Sequence, residues 1–154
     1  MTATVDRAVG AFLEALGART PAPAAGSGAA VAGAIAAGLA ELAARVSDEE
    51  EAAAEAESLR RRLAELADED AEVYAAFLRT RSDEDRQRTI EVPEELAAVA
   101  TRVAGLARGL ATTGKRSVRG DAEAAVAIAE AVARVGARLA AINRGAEDSS
   151  APRA

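Results

Sequence analysis

Histidine, cysteine and tryptophan are absent from the 154 residues, and the aromatic residues are two phenylalanines and one tyrosine. Without cysteine the chain forms no disulfide, and without histidine or cysteine it cannot build the usual protein zinc site. The shortage of aromatic rings argues against a stacking platform for single-stranded nucleic acid, and the net charge of −6 argues against a phosphate-backbone partner. Acid–base chemistry therefore depends on carboxylates, on Tyr74, on the single lysine Lys115 or on a water polarised by arginine.

Targeting signals are also lacking in the sequence. Charged residues near the start of the chain, such as Asp6 and Glu14, leave no apolar segment typical of a signal peptide. The longest run of small and apolar residues, 22–40, consists largely of Ala and Gly, and this low hydrophobicity argues against a membrane span. We therefore expect a cytoplasmic protein with one domain over residues 1–145 and a disordered tail over 146–154.

Apolar residues recur with helical periodicity, and no segment shows the alternation of a half-buried strand. This pattern predicts long helices at residues 5–16, 27–46, 47–79, 93–113 and 121–144, with a shorter helical segment at 82–90. Short connections between such helices favour an antiparallel arrangement. The expected fold is all-α, an antiparallel helical bundle of about five to six helices.

Several helix starts are predicted from capping residues. Ser27 is placed to cap the second helix, and Asp121 to cap the last. Ser47 is expected to open the third helix in a capping box with Glu50. Pro93 is suited to the first position of a helix, because its missing N–H is not needed there.

The second predicted helix carries small residues on nearly every face, Gly28, Ala32, Gly33 and Ala36 among them. Small residues let another backbone approach closely, and a helix that is apolar all round is usually buried. Alanine buries little area, so each helix contributes weakly to a core at ~25 cal/mol per Å². A second copy of the chain supplies the missing burial, and we therefore predict a homodimer.

Asp70 occupies one slot of an apolar stripe on the third predicted helix. The remaining members of the stripe, spaced three or four residues apart, are Leu59, Leu63, Leu66, Val73 and Phe77. Burial raises the pKa of a carboxyl group unless it is paired, and a raised pKa suits a general acid or base at neutral pH. In the alternative interpretation Asp70 pairs with an arginine such as Arg138, or faces water at the bundle edge.

Five short pieces of sequence carry a resemblance to a known family. In chain order they are FLEAL with PAPAAGS (residues 12–27), DEDA (68–71), EVP (91–93), GD (120–121) and IN (142–143). In order and spacing they resemble the cyclodeaminase domain of formiminotransferase-cyclodeaminase and the related single-domain methenyltetrahydrofolate cyclohydrolases. The resemblance covers residues 8–143, nearly the whole chain.

The resemblance implies an all-helical homodimer whose substrate is a tetrahydrofolate derivative, with no tightly bound cofactor and no metal. Such an enzyme hydrolyses methenyltetrahydrofolate or cyclises formiminotetrahydrofolate with loss of ammonia. The position of Asp70 is that of the acid–base group. Around the substrate the resemblance implies Pro23, Ala24, Ala25, Gly26, Ser27, Asp121 and Asn143.

Further candidates have two interpretations each. Tyr74, one helical turn after Asp70, could donate a hydrogen bond in the cleft or be an aromatic at its rim. Lys115 and Arg116 could hold a carboxylate tail such as a folate glutamate, or form a solvated basic loop. Asn143 could contact the substrate or satisfy backbone groups.

Two other functions stay open beside the folate enzyme. Ala24 and Ala25 replace glycines of the family pattern, and Leu139 replaces an asparagine. These replacements are compatible with a relative that opens or closes the ring of another small molecule in a biosynthetic pathway. They are also compatible with a non-catalytic helical dimer that acts as a partner or scaffold.

Overall fold

A computed structural model describes the backbone of residues 9–148 and the side chains of residues 9–145. Within this part of the chain there is no strand, which confirms the all-helical class. The helices of the described part are α1 (Val9–Gly17), α2 (Ala25–Val46), α3 (Glu50–Thr80), α4 (Asp83–Thr113) and α5 (Arg119–Asp148). A single 3-10 turn, Arg116–Val118, precedes α5.

The helix α2 lies at the centre of the bundle and contacts α3, α4 and α5. Its small residues explain this position, as predicted, because they let the neighbouring helices approach closely. A Cβ atom at Gly33 would lie 3.0 Å from Leu63 of α3 and 3.3 Å from Val132 of α5. In the described part of the chain, α2 is also the one helix long and apolar enough to cross a membrane, a composition shared by core helices of soluble bundles.

Three predicted helix caps are wrong, those of Ser27, Ser47 and Asp121. The helix α2 begins at Ala25, with Ala24 at the N-cap and no side-chain bond there, so Ser27 lies inside the first turn. Its hydroxyl is instead used for a contact with α3, described below. Ser47 does not open α3, because this helix begins at Glu50. The Oγ of Ser47 instead accepts a hydrogen bond from the Lys115 backbone N–H at 2.9 Å.

The helix α4 runs continuously through Pro93, where the sequence predicted a short segment followed by a new helix. A proline inside a helix leaves the carbonyl four residues earlier without its usual N–H donor. Here that carbonyl belongs to Thr89, and the side chain of Asn143 on α5 donates Nδ2–H to it at 2.7 Å. The neighbouring helix thus satisfies the group that the proline leaves unpaired. The N-cap of this helix is Ser82, whose Oγ accepts a hydrogen bond from the Asp85 N–H at 3.1 Å.

The last helix is longer at both ends than its sequence pattern indicates. It begins at Arg119, so Asp121 lies in its first turn rather than at the cap. It continues past Gly145 to Asp148, since helix is still possible at a glycine at modest cost. The predicted tail therefore starts in helix, and residues 149–154, like residues 5–8 of the first predicted helix, lie outside the described residues.

Candidate active site

A cleft of about 180 Å³ lies where the start of α2 meets the middle of α3, with α4 and α5 closing the other side. Each of these four helices contributes to its wall, and so does the loop before α2. Among the lining residues are Ala24, Gly26, Asp70, Tyr74, Leu139 and Asn143.

Asp70 is held in this wall by a single residue of α2. Its Oδ2 accepts a hydrogen bond from the Ser27 backbone N–H at 2.9 Å and lies 3.2 Å from the Ser27 hydroxyl. That hydroxyl is fully buried and also lies 2.9 Å from the carbonyl oxygen of Ala67, one turn before Asp70. Since the first N–H groups of a helix have no partner within it, α2 offers Ser27 N–H to a carboxylate.

The Ser27 hydroxyl can serve both protonation states of Asp70. It carries one proton and has two oxygens within reach, those of Asp70 and Ala67. When Asp70 is ionised, the hydroxyl can donate to the carboxylate. When Asp70 is protonated, the carboxyl can donate to Ser27 while Ser27 donates to Ala67. The contact therefore persists whether or not the carboxyl holds its proton.

Burial raises the pKa of Asp70 above its ordinary value, and the side-chain and backbone hydrogen bonds from Ser27 partly oppose this rise. The alternative partner Arg138 is exposed, and no ion pair joins it to Asp70 among the described side chains. Desolvation without a compensating cation is thus the dominant influence. A carboxyl in this situation holds its proton to a higher pH than usual, which suits proton transfer near neutrality.

Gly26 provides the space that the Asp70 carboxyl occupies. A Cβ atom at position 26 would lie 2.0 Å from Asp70 Oδ1, far inside van der Waals contact. The two alanines before it fit without strain, because Ala24 has an extended φ of −138° and Ala25 already belongs to α2. The one residue of the three at 24–26 that is packed against the Asp70 carboxyl is therefore a glycine.

Most of the predicted site residues meet at the cleft. Ala24, Ala25, Gly26, Asp70, Tyr74 and Asn143 line it. Ser27 contacts it through Asp70, and Pro23 lies in the same loop between lining residues. Asn143 also donates to the Thr89 carbonyl, which confirms that it satisfies a backbone group; its contact with a substrate stays a prediction.

The basic loop and Asp121 lie elsewhere. Lys115 pairs with Asp48 at 2.6 Å beyond the opposite ends of the helices. At a rise of about 1.5 Å per residue, Asp121 lies roughly 33 Å from Asn143 along α5. A single chain therefore does not bring Lys115, Arg116 or Asp121 to Asp70, and their part in substrate binding stays a prediction.

Sequence reasoning missed Thr89, Val92 and Pro93, which also line the cleft. The sequence feature that could have indicated them is Pro93. If a helix continues through this proline, the Thr89 carbonyl loses its usual backbone donor and needs another partner. The sequence favoured a helix starting at Pro93, and this hid the pairing. Among the described residues, no group of three potential metal ligands lies together.

The chain is thus an all-helical bundle with a partly buried aspartate at a cleft beside a glycine-containing helix start, and the comparisons indicate the folate-related cyclodeaminase and cyclohydrolase class. The family model for formiminotransferase-cyclodeaminase matches residues 8–150, and the chain belongs to this family. The resemblance expected from the sequence is thereby confirmed.

A solved structure shows the same fold. The chain is similar to formiminotetrahydrofolate cyclodeaminase from Thermotoga maritima, with a TM-score of 0.87 and 23% sequence identity. The match covers 92% of this chain and 81% of that one. A comparison with curated protein sequences finds no match.

Proposed function

We propose that the chain is a one-carbon folate enzyme in which Asp70 is the general acid and base. The observation that carries this proposal is the partly buried Asp70 carboxyl, bound by Ser27 at the wall of the cleft with a pKa that desolvation raises. A desolvated carboxylate without a cation costs stability, and such cost is typical of functional sites. This cost disfavours the non-catalytic scaffold.

In the hydrolytic direction, water adds to the bridging carbon of methenyltetrahydrofolate, and Asp70 takes a proton from that water. One carbon–nitrogen bond then breaks as the hydroxyl of the adduct loses its proton to solvent and becomes the formyl oxygen, and Asp70 returns its proton to the departing nitrogen. The net reaction consumes one water and releases one proton. A group whose pKa lies near the working pH can perform both transfers.

In the cyclising direction, the secondary amine nitrogen that links the pteridine to the aromatic arm attacks the carbon of the protonated formimino group. Asp70 accepts the proton of the attacking nitrogen and delivers it to the amino nitrogen of the adduct, which leaves as ammonia and gives the methenyl cation. The two reactions share the reacting carbon and the proton-transfer group. The geometry at Asp70 therefore suits either.

One assay separates these reactions, because the methenyl form absorbs light and the other two forms lack its chromophore. Purified protein is given methenyltetrahydrofolate in one cuvette and formiminotetrahydrofolate in another. Faster loss of the chromophore in the first identifies hydrolysis, and its appearance with ammonia in the second identifies cyclodeamination. No acceleration over buffer in either cuvette contradicts the proposal.

A second candidate is ring opening or closing on another heterocycle. Leu139 lines the cleft where the family pattern has an asparagine, so this wall offers hydrocarbon in place of an amide. An apolar wall favours a ligand with fewer polar groups on that side. A thermal-shift screen in which tetrahydrofolates leave the melting temperature unchanged and another heterocycle raises it would select this candidate.

The homodimer is part of the same proposal. Large apolar side chains are exposed on one side of α1 and α2: Val9 (74%), Leu13 (59%), Ile35 (57%) and Leu42 (46%). Contiguous exposed hydrocarbon of this kind usually marks an interaction site. We propose that a second copy covers this face.

Sedimentation of the native protein should give a dimer. The double variant Ile35→Asp, Leu42→Asp should give a monomer, because it places charge on the proposed contact face. A monomeric native chain contradicts the proposal.

A further inference from the structure

The cleft beside Asp70 continues into a second cavity of about 270 Å³. Tyr74, Thr89 and Asn143 line both cavities and form the boundary between them. Beyond this boundary the wall changes in character. The second cavity is otherwise lined by an aromatic ring and two arginines, which we name the arginine pocket: Phe77, Arg81 and Arg86.

The two arginines of the pocket are positioned by one ring. The guanidinium carbon of Arg81 lies 5.2 Å, and that of Arg86 lies 5.6 Å, from the centroid of the Phe77 ring. Both distances are within the range of a cation–π contact. Arg81 closes α3 in a left-handed conformation with φ of 54°, and its N–H bonds the Phe77 carbonyl at 3.0 Å.

The charge of the pocket is unusual for a chain with a net charge of −6. Arg81 forms no ion pair with any side chain that the structure describes. The nearby carboxylate of Asp85 accepts from the Ser82 hydroxyl at 3.0 Å and from Thr80, and it does not line the cavity. Guanidinium groups prefer carboxylate and phosphate partners, which they bind through two parallel N–H groups.

We propose that the arginine pocket binds the carboxylate-bearing aromatic arm of the substrate whose reacting carbon lies beside Asp70. The arm passes Tyr74 and Asn143, and its carboxylates meet Arg81 and Arg86. This assignment rests on the proposed function. In this assignment the carboxylate tail of the substrate is bound at the α3–α4 turn. The sequence had suggested the Lys115 loop for this contact, but that loop lies at the far end of the bundle.

The spacing along α3 is consistent with such an arm. From Asp70 to Arg81 the helix rises about 16 Å, at about 1.5 Å per residue. An aromatic ring joined to an amino-acid tail spans much of this length, and an arginine side chain can reach toward it. Between the two ends the wall consists of Tyr74 and Phe77, one and two turns after Asp70, which suit an aromatic segment.

The test compares substrates with and without the carboxylates of the glutamate arm. We expect Arg81→Gln and Arg86→Gln to raise KM for the arm-bearing tetrahydrofolate about tenfold or more, with kcat little changed. The same variants should change KM far less for the matching substrate in which the carboxylates of the arm are replaced by neutral amides, because this substrate keeps the bridge nitrogen and the aromatic ring. Arg79→Gln is the matched control, because Arg79 is exposed in the last turn of α3 and lines neither cavity. Equal KM values for native protein and both pocket variants overturn the proposal.

A binding measurement keeps this result separate from the proposed reaction. Ligand-observed NMR with p-aminobenzoylglutamate should show binding to the native protein and to Arg79→Gln, and loss of binding in Arg81→Gln. If the fragment binds in this way while no one-carbon substrate reacts, the result supports the pocket assignment and contradicts the proposed reaction. If the fragment fails to bind, or binds Arg81→Gln as well as native protein, the pocket assignment falls. Arg81 is exposed, so its variant tests the pocket even if Arg86→Gln lowers the melting temperature.

Discussion

The backbone amide and the hydroxyl of Ser27 approach the same oxygen of Asp70, Oδ2, at 2.9 Å and 3.2 Å. The second oxygen, Oδ1, lies against Gly26 and receives no hydrogen bond from any described residue. One oxygen thus fixes the carboxyl in place, and the other is available to a substrate in the cleft. The proposed chemistry depends on this division.

Removing the Ser27 hydroxyl should change proton transfer more than folding. The hydrogen bonds from Ser27 lower the pKa of Asp70, so Ser27→Ala should raise that pKa further. The limb of the pH–rate profile that reports ionisation of Asp70 then moves to higher pH, with a stability loss of about 0.5–1.5 kcal/mol. Ser47→Ala, which removes a hydroxyl far from the cleft, should leave the profile in place. An unmoved profile in Ser27→Ala contradicts the assigned contact.

The stability of the protein should depend on pH through Asp70 in a direction opposite to that of paired carboxylates. Burial raises the pKa of Asp70, so the folded state holds its proton more tightly than the unfolded chain does. The resulting stability is full below the ordinary carboxyl pKa and is lost as pH rises through the raised folded pKa. The Asp70→Asn variant should not lose this stability as the pH rises, because its amide carries no charge that burial would desolvate.

Thermal unfolding of the two proteins across pH measures this effect. Asp70→Asn should melt above the native protein at about pH 8, and the difference should shrink toward about pH 3, where native Asp70 is protonated in both states. Both proteins share every other carboxyl group, so those contributions cancel in the difference. A variant less stable than native protein by the same amount at every pH is the contrary result.

Two glycine substitutions that are two residues apart should have opposite effects. In Gly26→Ala the new methyl group would overlap Asp70, and overpacking of this kind costs about 1–3 kcal/mol. In Gly28→Ala the methyl would meet Leu16 at an ordinary 3.6 Å, and replacing a helical glycine gains about 0.5–1 kcal/mol. Urea unfolding should therefore separate the two variants, and only the first should lose turnover. Equal behaviour of both would show that Gly26 is not packed against the carboxyl.

Asn143 and Pro93 should be coupled energetically. Asn143→Leu leaves the partly buried Thr89 carbonyl without its donor, at a cost of about 1–3 kcal/mol. Pro93→Ala restores a backbone N–H four residues after Thr89, so the asparagine should matter less in that background. A double-mutant cycle by urea unfolding should give a coupling of about 0.5–3 kcal/mol. Additive effects would mean that the side chain does not replace the missing N–H.

The sequence predicted what depends on local periodicity. The helical class, the buried small-residue helix and the position of Asp70 on an apolar stripe all follow from spacing along one helix, and the structure confirms them. The family pattern added the association of the 23–27 loop with Asp70. These predictions required no knowledge of how distant segments pack.

The errors concern contacts between distant segments. Ser27 suits a cap by residue type, but its partners on α3 are 40 and 43 residues away. Pro93 is a good helix start, and only Asn143 on another helix lets α4 continue. Tertiary contacts override local preference in each case.

The turnover of Asp70→Asn in the chromophore assay tests the central claim most directly. Asparagine keeps an oxygen that can accept the Ser27 N–H, so the fold and the cleft should persist while the proton-transfer group is lost. On whichever substrate the native protein accepts, we expect turnover to fall by about 10²–10⁴-fold, the usual contribution of general acid–base catalysis. Turnover equal to that of the native protein, in a variant with the same helix content, would contradict the assignment of Asp70.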